Sequence, residues 1–174
     1  MDKALKMLSD EHENILKVID ALLRECELLK RGKKIDANFF ESAIDFIRNY
    51  ADKFHHAKEE KILFSELNKD DVLAGCNPVQ QMLYEHDLGR NFLSELQEGV
   101  KIGDKKNIIE NVSGYASLLK EHIFKEDNIL YPLADDVLSN DVKKKIFDRF
   151  VQTEKKFIKE KKKHTLFVEG LSSK

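Results

Sequence analysis

His55-His56-Ala57-Lys58-Glu59-Glu60-Lys61-Ile62-Leu63-Phe64 is the stretch that decides the fold, because the chain carries it twice. The second copy is His122-Ile123-Phe124-Lys125-Glu126-Asp127-Asn128-Ile129-Leu130-Tyr131. His, Lys, Glu, Ile and Leu recur at the same places, with Glu60/Asp127 and Phe64/Tyr131 as close matches. In both copies a Glu follows the first His four residues on, about 40° around a helix, so the two side chains share one face. Upstream of each copy stands a Glu-His pair, Glu11-His12 and Glu85-His86. Each half of the chain therefore reads His, a long gap, then His-x3-Glu. Two such halves packed face to face bring four imidazoles and two carboxylates to one place.

The surrounding periodicity is helical. From Lys3 to Lys30 the apolar seam is Leu5, Leu8, His12, Ile15, Ile19, Leu22 and Cys26, in alternating steps of three and four. A second helix starts at the N-cap Asp36 and fades near Asn68, carrying Phe40, Ile44, Ile47, Ala51, His55, Glu59 and Ile62 in a less regular register. Lys69 to Asn77 reads as a loop, with Asn77-Pro78 as N-cap and first helical position of the third helix. That helix shows Val79, Met82, His86, Gly89, Leu93, Leu96 and Val100. Gly103-Asp104 ends it and caps a fourth, with Ile108, Val112, Tyr115, Leu119, His122, Glu126, Ile129 and Leu133. Pro132 lacks an N–H and is expected to kink or end this helix near Tyr131. A fifth stretch runs from Ser139 to about His164. The expected fold is all-α: an up-down four-helix bundle over 1–135, an additional C-terminal helix over 136–166, and a tail over 167–174.

Composition agrees. The chain of 174 residues has only 7 Gly and 2 Pro, too few turn-makers for many short strands. Its net charge of −2 gives no global field for nucleic acid or a membrane surface. No uncharged apolar run approaches the ~20 residues of a membrane span, and the N-terminus is too charged for a signal peptide. A cytoplasmic protein is expected, with Cys26 and Cys76 as reduced thiols. No protein partner can be read from the residues. The lysines at 155, 156, 159 and 161–163 read as a solvated helix end.

The informative residues are polar ones at apolar positions. His12, His55, His86 and His122 each fall on a core seam. A seam takes two positions in seven, so four or more of six histidines landing there by chance is about a 6% event. Glu126 also lies on the seam, where a lone carboxylate costs several kcal/mol or takes up a proton. A cation removes that cost. Four imidazoles and two carboxylates suit a pair of metals, each with two terminal imidazoles, bridged by Glu59 and Glu126. Imidazole and carboxylate without thiolate suit Fe, Mn or Zn.

These residues resemble the hemerythrin family in its broader HHE cation-binding branch, over about Leu5 to Leu133. The resemblance implies a four-helix bundle with a non-haem di-iron centre that binds or reacts with O2, nitric oxide or peroxide. It implies His12, His55, His86 and His122 as terminal ligands, and Glu59 and Glu126 as bridging carboxylates. Some branches place an extra ligand at the position of His56; its 100° rotation from His55 favours a supporting or solvent-facing place. The O2-carrying members have His-x3-His on the third helix, where this chain has His86 and then Arg90. Arginine offers no lone pair to a metal. The expected consequence is a freer coordination position, and sensing or stress response rather than bulk O2 carriage. Carriers also use His-x4-Asp on the last helix, which Asp127 satisfies, but Glu126 lies on the seam and is preferred. Arg90 reads either as a donor to a bridging carboxylate or bound anion, or as a salt bridge with Glu85 or Asp87. Tyr50, Tyr115 and Tyr131 are candidate phenols beside the centre, with plain core packing favoured for each, and for Gly89 a close helix approach is expected.

Two other functions stay open on the sequence. One is a di-iron oxidase, peroxidase or nitrosative-damage repair enzyme. The Glu-x-x-His of ferritin-like oxidases is absent, since Ser9, Asp52, Leu83 and Leu119 stand three before the four histidines. The other is a metal-stabilised signalling or interaction module.

Overall fold

The computed structural model describes residues 1–69, 72–73 and 77–171. All regular structure among them is helical. Helix α1 (Lys3–Lys30) is capped by Asp2, whose side chain accepts from the Ala4 N–H. The second rod begins as α2 (Ala37–Phe46), capped by Asp36 as expected. It runs on through wide-turn segments at Ile47–His56 and Glu59–Leu63 into the short α3 (Phe64–Leu67). The third rod is α4 (Val79–Ile102) and the fourth starts as α5 (Lys105–Lys125). The fourth passes through a wide turn at Glu126–Leu130 into α6 (Tyr131–Val137). Gly103, at φ +75°, reverses the chain between α4 and α5, and Asp104 caps α5. Asn77 caps α4 through the Val79 N–H at 3.0 Å, with Pro78 one residue before the helix rather than inside it. Cys76 lies outside the described residues, as does most of the loop expected over 69–77.

The wide turns are π-type, closed by bonds five residues back such as Phe64 N–H to Glu59 C=O and Tyr131 N–H to Glu126 C=O. They account for the irregular register of the second rod. They also correct the fourth seam. Ile129, expected inside, is 54% exposed, whereas Leu130, Tyr131 and Ala134 are buried. One extra residue in the turn moves the inward set one place along the chain. Pro132 does not end the helix, because it sits in the first turn of α6, directly after the wide turn.

The core divides into two apolar clusters. One holds Ile15, Ile19, Leu22, Phe40, Ile47 and Leu119 among others; the second holds Leu5, Leu8, Leu63, Leu67, Met82 and Leu130. The histidine layer lies between them along α1, where His12 stands between Leu8 and Ile15. The C-terminal segment differs from expectation. It consists of α7 (Asn140–Lys156), capped by Ser139, and α8 (Ile158–Leu171), with a break at Phe157. Residues 167–171, read as a tail, belong to α8. Val168 is in the first apolar cluster with Phe167 packed against it, while Ile146 and Phe150 of α7 are in the second. Residues 172–174 are outside the described set.

Packing of the two halves is unequal. α4 and α5 pack directly against each other over most of their length, whereas α1 divides its contacts among the second rod, α5, α7 and α8. Glycines permit the close α4–α5 approach at Gly99 and Gly114, where an added Cβ would come 2.1 Å from Asn107 and 2.5 Å from Phe92. At Gly89, the expected point of close approach, the nearest atom to such a Cβ is 3.4 Å away on the Tyr115 ring.

Candidate metal centre

The four rods bring the predicted side chains together in two buried groups. His12, His55, Glu59 and Glu126 form one, with candidate ligand atoms all within 4.8 Å of each other. His56, His86 and His122 form the other, on the same criterion of 4.8 Å. Two carboxylates connect the groups. Glu59 Oε2 lies 3.6 Å from His55 Nε2 and 3.5 Å from His86 Nε2. Glu126 reaches His12 Nε2 at 3.3 Å through one oxygen and His122 Nε2 at 3.1 Å through the other. All six residues named for the centre from sequence therefore converge.

His56, a possible extra ligand for which a supporting or solvent-facing place is favoured from sequence, is 7% exposed and stacked on His86 with ring centroids 3.8 Å apart. The wide turn explains this. A turn with more residues rotates less per residue, so consecutive His55 and His56 both point inward. Near Arg90, which stands where the sequence lacks a histidine, the second rod thus places an imidazole of its own in the His86/His122 group.

Each of the four seam histidines is held by a carboxylate at Nδ1. His12 pairs with Asp127 (3.1 Å), His55 with Glu11 (2.9 Å), His86 with Glu60 (2.7 Å) and His122 with Glu85 (2.8 Å). A carboxylate accepting from Nδ1–H fixes the ring and leaves Nε2 as a lone pair aimed inward. The internal repeat is thereby explained residue by residue. The acid after each bridging Glu (Glu60, Asp127) holds the His of the opposite pair. The Glu before His12 or His86 holds His55 or His122. The lysine before each bridging Glu, Lys58 or Lys125, binds Glu11 or Glu85. The Glu-His correspondence is visible in the sequence, but these roles are not, because each anchor meets its histidine only across the bundle. Asp127 pairs with His12 Nδ1, whereas Glu126 lies between His12 and His122.

This donor set fits cations. With Nδ1 protonated, His12 and His55 present two Nε2 lone pairs to each other at 3.0 Å, and His86 and His122 do the same at 3.0 Å. Facing lone pairs need a positive centre between them, or a proton. Glu59 Oε2, both oxygens of Glu126 and His56 Nδ1 are buried without a hydrogen-bond partner. Burial of that kind is costly for a carboxylate unless a cation is near. Proton equilibria of the bare cluster tell the same story. Burial, then the adjacent Glu126, pushes the Glu59 carboxyl well above its usual range. Burial opposes ionisation of Glu126 too, but His122 and His12 outweigh it and hold that carboxyl well down. Burial acts against protonation of His12, yet Asp127 and Glu126 raise it to about 9. Burial and neighbouring imidazoles keep His55 and His56 well below the ordinary histidine value.

Tyr131, expected as plain packing, donates its hydroxyl to Glu59 Oε1 at 2.6 Å. Its repeat partner Phe64 can only stack, with its ring 6.0 Å from His86. Tyr50 accepts from Asn14 Nδ2 at 3.1 Å and otherwise packs. Arg90 touches neither bridging carboxylate. It donates to Asp52 (2.7 Å), Glu60 (2.6 Å) and Asp87 (2.8 Å). It therefore steadies the acid that holds His86, and it pairs with Asp52, whose carboxylate lies 3.5 Å from His56 Nδ1. Beside the three-histidine group is a cavity of about 20 Å³ lined by Ile47, Gly89, Leu93, Tyr115 and Leu119, with Arg90 and Asp52 also on its wall. That is room for about one water-sized molecule.

Among the described residues no helix is long and apolar enough to cross a membrane. The sequence model of the family described as hemerythrin HHE cation binding domain matches residues 3–134. No curated protein and no solved structure matches the chain.

Proposed function

We propose, for a chain that belongs to the hemerythrin HHE cation-binding domain family, that its buried cluster holds two iron ions and takes up a small ligand. The ligand class is O2, nitric oxide or peroxide, and the role is sensing or stress response in the cytoplasm rather than bulk O2 carriage. The observation that carries this reading is the pair Glu59 and Glu126. Each carboxylate lies between imidazoles of both groups, and three of their four oxygens lack any protein donor. Mn or Zn would satisfy the same donors less specifically.

Iron bound there supplies open coordination positions and a redox couple. The protein's own contribution is positional. Carboxylates at Nδ1 orient four imidazoles. Glu59 and Glu126 neutralise charge between the two groups. The Tyr131 hydroxyl holds its proton toward Glu59 Oε1. Ile47, Leu93 and Leu119 keep the adjoining cavity apolar, and its size selects diatomic ligands over organic substrates. Helices α7 and α8, which the family match does not cover, support the sensing role by giving the centre an added element to act on.

Metal analysis of protein from iron-supplemented cells, with an optical spectrum of the same sample, tests the reading. About two irons per chain and a near-ultraviolet charge-transfer absorption that shifts with nitric oxide or azide are expected. Glu126→Ala is expected to hold no iron pair. A folded wild-type chain with no iron after reconstitution overturns it.

A further inference from the structure

The two halves of the repeat end differently. In the second half, Lys125 binds Glu85 and its side chain is 31% exposed. In the first half, the equivalent Lys58 is completely buried. Lys58 binds Glu11, and its Nζ lies 4.1 Å from the Phe54 ring centroid and 5.6 Å from that of Phe150. A second carboxylate stands on its other side: Glu154 of α7, at 3.7 Å. Glu154 in turn accepts from Lys161 of α8, at 2.7 Å through each oxygen. A chain of alternating charge therefore runs His55, Glu11, Lys58, Glu154, Lys161. It begins at a residue of the metal centre and ends on the two helices outside the family match.

Resting on the reading above that the centre binds iron, we propose that this chain makes α7 and α8 a reporter of the His12/His55 end of the centre. Glu154 and Lys58 are positioning residues in it. When His55 Nε2 binds a cation, its Nδ1–H becomes a stronger donor and tightens on Glu11. Glu11 fixed in place fixes Lys58. A buried ammonium deprived of one of its carboxylates is poorly compensated, so a fixed Lys58 favours α7 docked with Glu154 against it. The loaded centre then disfavours the undocked helices. Linkage makes the effect reciprocal: undocking of α7 and α8 weakens metal retention at that end. Lys125, which pairs only with Glu85 of α4 among the described residues and meets no carboxylate of α7 or α8, gives the second half no such output.

Hydrogen exchange on the full chain, metal-free and anaerobically loaded with Fe(II), tests this, with iron counted in the same samples. Wild type is expected to exchange about tenfold more slowly over 140–171 when loaded, within the range usual for coupled sites. Glu154→Gln is expected to bind two irons, to show less than about twofold slowing there, and to lose one iron faster to a chelator. A merely structural Glu154 would lower protection equally in both states and leave the difference intact. Equal wild-type exchange in both states at two irons overturns the coupling alone, as does full slowing in Glu154→Gln. Should Glu154→Gln not fold, Lys161→Met removes the other link from a half-buried position and is read the same way. A wild-type chain that takes up no iron overturns the functional reading and this one with it.

Discussion

His56 lies face to face with His86, ring centroids 3.8 Å apart and planes 10° from parallel, while its neighbour His55 joins His12 in the other group. Adjacent residues thus lie in opposite groups of the buried cluster, and a wide helical turn makes this possible. His56→Ala is expected to weaken binding at the His86/His122 end by 10–100-fold or more, since loss of even an outer hydrogen-bond partner costs that much. Binding at the His12/His55 end should stay within a few-fold. Chelator competition with Fe(II) resolves the two. Wild-type affinity at both ends would show that His56 only packs.

Tyr131 holds Glu59 in one orientation through a buried hydroxyl. Tyr131→Phe removes the donor and keeps the ring, as Phe64 does in the other half. The metal-free protein is expected to lose about 1–3 kcal/mol, the usual cost of leaving a buried polar group unpaired. Urea unfolding of wild type and variant gives the difference. No change in midpoint would mean that Glu59 finds another donor.

Gly114 brings α5 against Phe92 of α4, the two helices that carry His122 and His86. Alanine is the better helix former by about 1 kcal/mol. Its methyl, however, would stand 2.5 Å from a ring carbon, and overpacking of this kind costs about 1–3 kcal/mol. Gly114→Ala is therefore expected to lower thermal stability and to loosen iron at the His86/His122 end. A more stable variant with unchanged iron binding would show that Phe92 swings aside freely.

His164 is buried against Phe46 and Tyr50. Burial pushes its pKa down, although Asp45 opposes the shift from 3.8 Å. With the folded value below the unfolded value of about 6.5, the unfolded chain binds more protons between the two, so stability rises with pH there. The contribution is complete above about pH 6.5 and is lost as pH falls toward the folded value. Wild type should exceed His164→Gln in stability at pH 8, and the gap should narrow by pH 5. A gap independent of pH would mean that His164 stays neutral, or charges equally, in both states.

Much of the molecule is legible from the residues because its main signals are local. Helix spacing puts Leu5, Leu8, His12 and Ile15 on one face whatever lies opposite, and Asp36, Gly103 and Asp104 mark ends by backbone chemistry alone. The repeat of His-x3-Glu was enough to expect four imidazoles and two carboxylates in one layer. What escaped the sequence is what depends on a partner. The width of a helical turn is set by what packs across it, so the inward turn of His56 and the outward turn of Ile129 could not be read from a 3.6-residue period. The anchors of His12 and His55, Asp127 and Glu11, lie far off in sequence and become neighbours only when the rods close. Val168 sits in a sequence poor in apolar residues, which resembles a tail. It is core because the first half, without the glycines that draw α4 and α5 together, leaves α1 to be covered by α7 and α8. The sequence by itself determined which side chains form the polar layer; the tertiary structure decided how many of them reach it and what holds each in place.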